Sequence, residues 1–183
     1  WEAAEEGDLS KLKSLIESWS QAIDLDLLHL GTTADADEIK DTANAQPLIV
    51  ATSLLGAHSL GLTNFAVTSG HSVGELAAAA LSGAISSSDA LSLVRSRGVE
   101  MAKAAAASPA GMSAVLGGDR TDVLAAIAAL NLVAANDNGA GQIVAAGDLT
   151  ALAQLSDNPP ASARVRALAV AGAFHTSYMQ PAV

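Results

Sequence analysis

The sequence predicts an α/β protein in which a larger body carries a small inserted lobe. First, the β-branched and aromatic run "TNFAVTSG" leads through Gly70 into the alanine-rich "ELAAAALSGA", which reads as a short strand turning into a helix that ends at Gly83. Second, between Gly111 and Val170 the patterns alternate as strand, helix, strand, strand, helix, strand. Third, that stretch is bounded by Pro109 on one side and by "AGAFHTSYM" on the other.

Each element has its own signal. Leu12, Leu15, Ile16 and Ile23 fall at helical spacing, and "QPLIVATSLLGAHSL" from Gln46 reads as a buried helix with proline at its start. Ser86 and Asp89 form a capping-box pattern before a long helix that runs to about Ser108. In the lobe, "GMSAVLGG" reads as strand, "TDVLAAIAAL" as a helix capped by Thr121, "NLVAA" as strand and "NDNGAG" as turn. "QIVAAG" follows as strand, "DLTALAQLS" as helix and "ARVRALAV" as strand. The order βαββαβ is the ferredoxin-like arrangement. The domains expected are a body over 1–110 joined by 171–183, and a lobe over 111–170.

With 183 residues, half of them apolar, the chain can bury a sizeable core. Cysteine is absent, which excludes disulfides, zinc-thiolate sites and a thiol nucleophile. A net charge of -10 and 3% aromatic residues argue against nucleic acid as a partner. No apolar run reaches the roughly 18 to 20 residues of a membrane span, and the acidic start is unlike a signal peptide, so a cytoplasmic location is expected. Between Trp1 and Asp41 there are 11 acidic and 3 basic residues, a balance of -8. Asp24, Asp26, Asp35, Asp37 and Glu38 there read as a solvated acidic face, because no calcium-loop glycine or terminal glutamate follows. No P-loop or dinucleotide fingerprint is present; Gly117 and Gly118 lack the glycines and lysine that would have to follow.

Gly70-His71-Ser72-Val73-Gly74 fits G-x-S-x-G, the nucleophile elbow, and lies at the strand-to-helix junction that the motif requires. Ser72 is a nucleophile or a turn serine; the context favours the first, with the Val73 amide as an oxyanion donor at the helix start. A serine hydroxyl needs a base. His175 is the best placed by order, whereas His71 adjoins the serine and should point away, and His29 and His58 lie in apolar surroundings as packed or solvated histidines. Leu93, Arg97 and Met101 share one helix face, drawing the guanidinium toward the apolar side, where it would bind a substrate carboxylate. The alternative is an exposed Arg97 paired with Glu100.

"GHSVGE", "VRSRGVEM", "GMSAVLG", "NDNGAGQIVAAG" and "GAFHT", in that order, together with "DTANAQPLIVA" before the elbow, resemble the malonyl-CoA:acyl-carrier-protein transacylases of fatty-acid synthesis. The resemblance covers essentially the whole chain. It implies a hydrolase-like α/β body with a ferredoxin-like lobe, Ser72 as acyl acceptor, His175 as its base, Arg97 as the malonyl carboxylate clamp, and Val73 as one oxyanion donor. It further implies that Met101 and Phe174 line the acyl pocket, that no cofactor is used because malonyl-CoA is a substrate, and that an acyl carrier protein is the partner. The family's opening strand with its Gly-Gln-Gly loop, and its later histidine-orienting glutamine, have no counterpart, so the chain reads as a fragment. The segments "DTANAQP" and "NGAGQIVAAG" favour the discrete bacterial enzyme over a synthase domain. Arg95, Lys103, Arg120, Arg164 and Arg166 are the candidates for docking an acidic carrier. Two rivals remain: an α/β-hydrolase with Asp148 or Asp157 as its acid, and a non-catalytic interaction module.

Overall fold

The computed structural model describes residues 6–62 and 64–183, so the first five residues of the acidic start and Thr63 lie outside the described residues. The chain divides into two compact units, the first reaching Val99 and the second running from Glu100 to Val183.

The first unit is built of helices α1 (Glu6–Ile23), α2 (Leu27–Thr32), α3 (Ala36–Lys40), α4 (Thr42–Ser59), α5 (Gly74–Leu81) and the greater part of α6 (Ser87–Ala107). Aspartates start three of them. Asp26 accepts from the His29 amide at 2.9 Å, Asp35 from Glu38 at 2.9 Å and Asp41 from Ala43 at 2.8 Å. Much of the acidic face is therefore cap chemistry, each cap contributing about 1 kcal/mol. The cap at Asp41 begins α4 at Thr42, four residues ahead of Gln46, so Pro47 lies inside the helix and not at its start. Proline has no N–H for the carbonyl four residues back, which is that of Ala43. Arg95 fills the vacancy, its Nη1 donating to the Ala43 oxygen at 2.8 Å.

Ile16, Val50, Leu54, Leu91 and Val94 are buried together in this unit's core. Burial of each aliphatic side chain contributes roughly 1.5 to 3 kcal/mol. Trp19 meets the His58 ring with centroids 6.4 Å apart, His58 being exposed, and His29 stands exposed beside Glu38 and Thr33. The capping box of α6 forms, with the Asp89 amide donating to Ser86 Oγ at 3.0 Å and that hydroxyl donating to Asp89 Oδ2 at 2.7 Å. The strand expected in "TNFAVTSG" does not form: Asn64 to Gly70 belong to no helix or ladder. A strand needs a neighbour for its backbone hydrogen bonds, and among the described residues of this unit none is in a strand.

The second unit follows the order β1 (Ala110–Gly117), α7 (Arg120–Ala129), β2 (Val133–Asp137), β3 (Gln142–Asp148), α8 (Leu149–Asp157) and β4 (Ala163–Ala167), ending in a 3-10 helix, Ser177–Ala182. Its sheet runs β2-β3-β1-β4 with every pair antiparallel. Alternation along the strands separates two faces. Val115, Ile143 and Ala145 pack with Val123 and Ile127 of α7 and with Leu152 and Leu155 of α8. Met112, Val144 and Ala146 pack instead with Ala173, Phe174 and Tyr178. Helix α7 is capped by Asp119 and not by Thr121, because the carboxylate two residues earlier reaches the amides of both Thr121, at 2.8 Å, and Asp122, at 3.2 Å. The described chain is thus a mixed α/β structure with a four-stranded antiparallel sheet.

Candidate active site

Ser72 sits on a tight turn between the irregular segment 64–70 and α5. Its φ is +53°, a left-handed conformation that costs a non-glycine residue about 1 to 3 kcal/mol and persists only where the surroundings enforce it. The enforcement is visible. The amides of Gly74, Glu75 and Leu76 donate to the carbonyls of His71, Ser72 and Val73 at 3.0, 3.1 and 3.2 Å, and Thr68 Oγ1 donates to the Ala78 carbonyl at 3.0 Å. A Cβ on Gly70 would lie 2.1 Å from the carbonyl carbon of Gly74, so the chain can pass only because that residue is glycine. At Gly74 a Cβ would meet nothing within 4 Å. Val73 is the residue before α5, where the first amides of a helix carry partial positive charge.

Arg97, on α6, points its guanidinium at this turn. Nη2 donates to Ser72 Oγ at 3.1 Å and Nη1 donates to Gln46 Oε1. Burial pushes its pKa below the ordinary arginine value while the charge of Glu75 pulls it back up, and a guanidinium so placed stays protonated. The alternative pairing with Glu100 does not occur, since Glu100 accepts from Lys103 at 2.7 Å. The apolar face invoked for Arg97 is only partly real: Met101 is buried, but Leu93 is 52% exposed. What draws the guanidinium inward is polar, the serine and the glutamine.

Gln46 is the residue that sequence reasoning missed. It is 6% exposed, at the head of the apolar run of α4, and a long polar side chain in that setting was the available signal. Gly98 explains how α4 and α6 come close enough: a Cβ there would lie 2.9 Å from the Thr42 oxygen.

In the second unit, His175 is exposed on a loop with φ +59°, held by Phe174 N–H to Gly172 O at 3.2 Å and by Thr176 Oγ1 to Ala173 O at 2.6 Å. Met101, Ala104 and Met179 form a buried cluster against which Phe174 and Tyr178 pack, so Met101 and Phe174 share one neighbourhood. The acids of the hydrolase rival are placed otherwise. Asp148 caps α8, accepting from the Thr150 and Ala151 amides at 2.8 and 3.1 Å, and Asp157 stands exposed at the end of the same helix. Among the described residues no group of three or more histidines, aspartates and glutamates is arranged to hold a metal ion.

The geometry therefore joins a serine strained on a turn to a guanidinium that donates to its hydroxyl oxygen. The chain belongs to the acyl transferase domain family, which matches residues 10–183. The "Malonyl CoA-acyl carrier protein transacylase" of Mycobacterium tuberculosis is 58% identical over 173 residues, covering 92% of this chain and 57% of that protein. The protein of the same name from Mycolicibacterium smegmatis is 56% identical over 175 residues, covering 92% and 59%. The crystal structure of MCAT from Mycobacterium tuberculosis superimposes with a TM-score of 0.88 at 57% identity, covering 93% of this chain and 58% of that one. A type II PKS acyl-carrier protein in complex with its malonyl-transacylase gives a TM-score of 0.83 at 26% identity, covering 96% and 61%. The chain therefore spans under two thirds of the length of these relatives.

Proposed function

We propose that this chain carries the acyl-capturing part of a malonyl-CoA:acyl-carrier-protein S-malonyltransferase. The observation that carries the reading is Arg97 Nη2 at 3.1 Å from the oxygen of a serine strained on an elbow. Ser72 Oγ attacks the thioester carbonyl of malonyl-CoA while His175 takes the hydroxyl proton. The Val73 amide donates to the oxyanion, the carbon–sulfur bond breaks, and His175 returns the proton to the CoA thiolate. The pantetheine thiol of an acyl carrier protein then attacks the malonyl-serine, and the serine leaves with the proton His175 has taken from that thiol. Arg97 holds the malonyl carboxylate throughout. Met101 and Phe174 line the acyl pocket.

The fold that goes with this reading is a hydrolase-like α/β body over 1–110 and 171–183 with a ferredoxin-like lobe over 111–170. The lobe is supported by its element order and by the β2-β3-β1-β4 antiparallel sheet, and the strand-like composition of 63–70 suits a strand of the body. The scheme uses no metal or cofactor. A cytoplasmic setting, for a discrete enzyme of fatty-acid synthesis, agrees with the absence of cysteine. Among the described residues no helix is long and apolar enough to cross a membrane.

Intact-mass measurement of the protein mixed separately with malonyl-CoA, acetyl-CoA and a simple ester tests this. A stable malonyl adduct is expected, mapping to Ser72 and lost in Ser72→Ala. His175→Ala should slow its formation roughly 100 to 10,000-fold without a comparable loss of CoA binding. Turnover of the ester to free acid without an adduct would favour the hydrolase, and malonyl found at another residue would overturn the assignment.

A further inference from the structure

Gln46 is buried, and its amide oxygen accepts from Arg97 Nη1. The other terminal nitrogen of the same guanidinium donates to Ser72 Oγ at 3.1 Å. A planar group that donates to two fixed acceptors, one from each terminal nitrogen, is restrained from turning or sliding. The helices behind it are fixed as well, through the close approach of Gly98 to the Thr42 carbonyl, 2.9 Å from where a Cβ would stand, and through Arg95 on the Ala43 oxygen at 2.8 Å. The arginine is thus set at a fixed distance from the nucleophile by a neutral partner, which holds an N–H without cancelling the charge.

We propose that Gln46 is a positioning residue that fixes the reach between Ser72 and Arg97 and thereby restricts the acyl group to a three-carbon dicarboxylate. The inference rests on the assignment of Ser72 and Arg97 made above. In an acyl-serine the carbonyl carbon is bonded to Oγ, and the carboxylate carbon of a malonyl group lies only two bonds beyond it. A donor that already stands 3.1 Å from Oγ suits that short span. Each further methylene carries the carboxylate away by about 1.3 Å along an extended chain. A misplacement of about 1 Å can cost on the order of 100-fold in rate. A succinyl group overshoots the clamp, and an acetyl group does not reach it.

The experiment is competition among malonyl-, succinyl- and acetyl-CoA for acylation of the protein, read by intact mass, in wild type, Gln46→Met and Gln46→Glu. Wild type should prefer malonyl over both others; if it does not, the assignment of the clamp fails and not this inference alone. Gln46→Met keeps the length and removes the acceptor, so the preference for malonyl over succinyl should fall at least roughly tenfold. Gln46→Glu keeps the acceptor, so that ratio should hold while both dicarboxylates lose ground to acetyl. Gln46→Asn, whose oxygen stops one methylene short, should relax the ratio as Met does and serves if the Met protein does not fold. A malonyl-to-succinyl ratio unchanged in Met and Asn, or three substrates slowed equally, overturns the proposal.

Discussion

Arg97 is asked to be buried and charged together. Desolvation lowers its pKa, yet the fork needed for a carboxylate exists only in the protonated form, and Glu75 and the polar partners Ser72 and Gln46 keep it so. Replacing it by Ala should therefore act on substrate choice. Charge-assisted hydrogen bonds worth roughly 1.5 to 3 kcal/mol each are lost to malonyl and not to acetyl. Malonyl transfer should fall while acetyl transfer stays level or rises, and Lys should restore charge without the two-pronged geometry. Competition between malonyl- and acetyl-CoA decides it: equal losses on both would assign the arginine to the fold. The elbow serine was legible in the sequence because motif spacing is local, whereas the inward turn of Arg97 was expected from an apolar helix face that Leu93, 52% exposed, does not supply. Gln46 was not legible, since its partner lies 51 positions away and nothing local announces a contact of that range.

At the scale of elements, the two glycines of the elbow make a controlled pair. Gly70→Ala forces a Cβ to within 2.1 Å of backbone, which no side-chain rotation relieves, whereas Gly74→Ala opens onto free space among the described residues. Gly74 also begins α5, where Ala is favoured over Gly by up to about 1 kcal/mol. Thermal unfolding should show Gly70→Ala melting well below wild type and Gly74→Ala at or above it. The reverse order would mean that the turn does not have this geometry. The motif's letters alone do not separate the two glycines, but their surroundings do. Most helices and all four strands of the sheet were readable, because periodicity and turn residues act over a few positions. The cap of α7 was misread by two residues, a local matter, but two other misreadings come from partners distant in sequence. "TNFAVTSG" has strand composition but no strand among the described residues of its own unit to pair with, and Pro47 is tolerated inside α4 because Arg95, 52 positions from Ala43, serves the carbonyl it orphans.

At the scale of the whole molecule, charge sets the terms on which a carrier protein could dock. The chain carries -10 overall, so attraction to an acidic partner must come from local cations and will be screened beyond about 8 to 10 Å. Three of the five cationic candidates are already engaged. Arg95 serves Ala43, Lys103 pairs with Glu100 at 2.7 Å, and Arg120 pairs with Asp137 at 2.8 Å. The hydrogen bond from Arg120, then that from the Gly139 amide, holds the Asp137 carboxyl below the usual carboxylate range. A depressed carboxyl pKa means that Asp137 stays ionised at neutral pH and is protonated only as pH falls through that lowered value, so it remains a competitor for Arg120. Arg164 and Arg166 remain, exposed on β4, which lies at the sheet edge. Two positions apart, they project from the same face, opposite Leu116 and Ala114 of β1, with no ion pair among the described residues. Reversing both to Glu should raise KM for the carrier several-fold and flatten its dependence on salt, because rim charges act mainly on association. Acylation by malonyl-CoA, measured without carrier, should change much less. Carrier KM unaltered at low salt would remove β4 from the docking surface, and equal losses with and without carrier would show that the two arginines support the sheet.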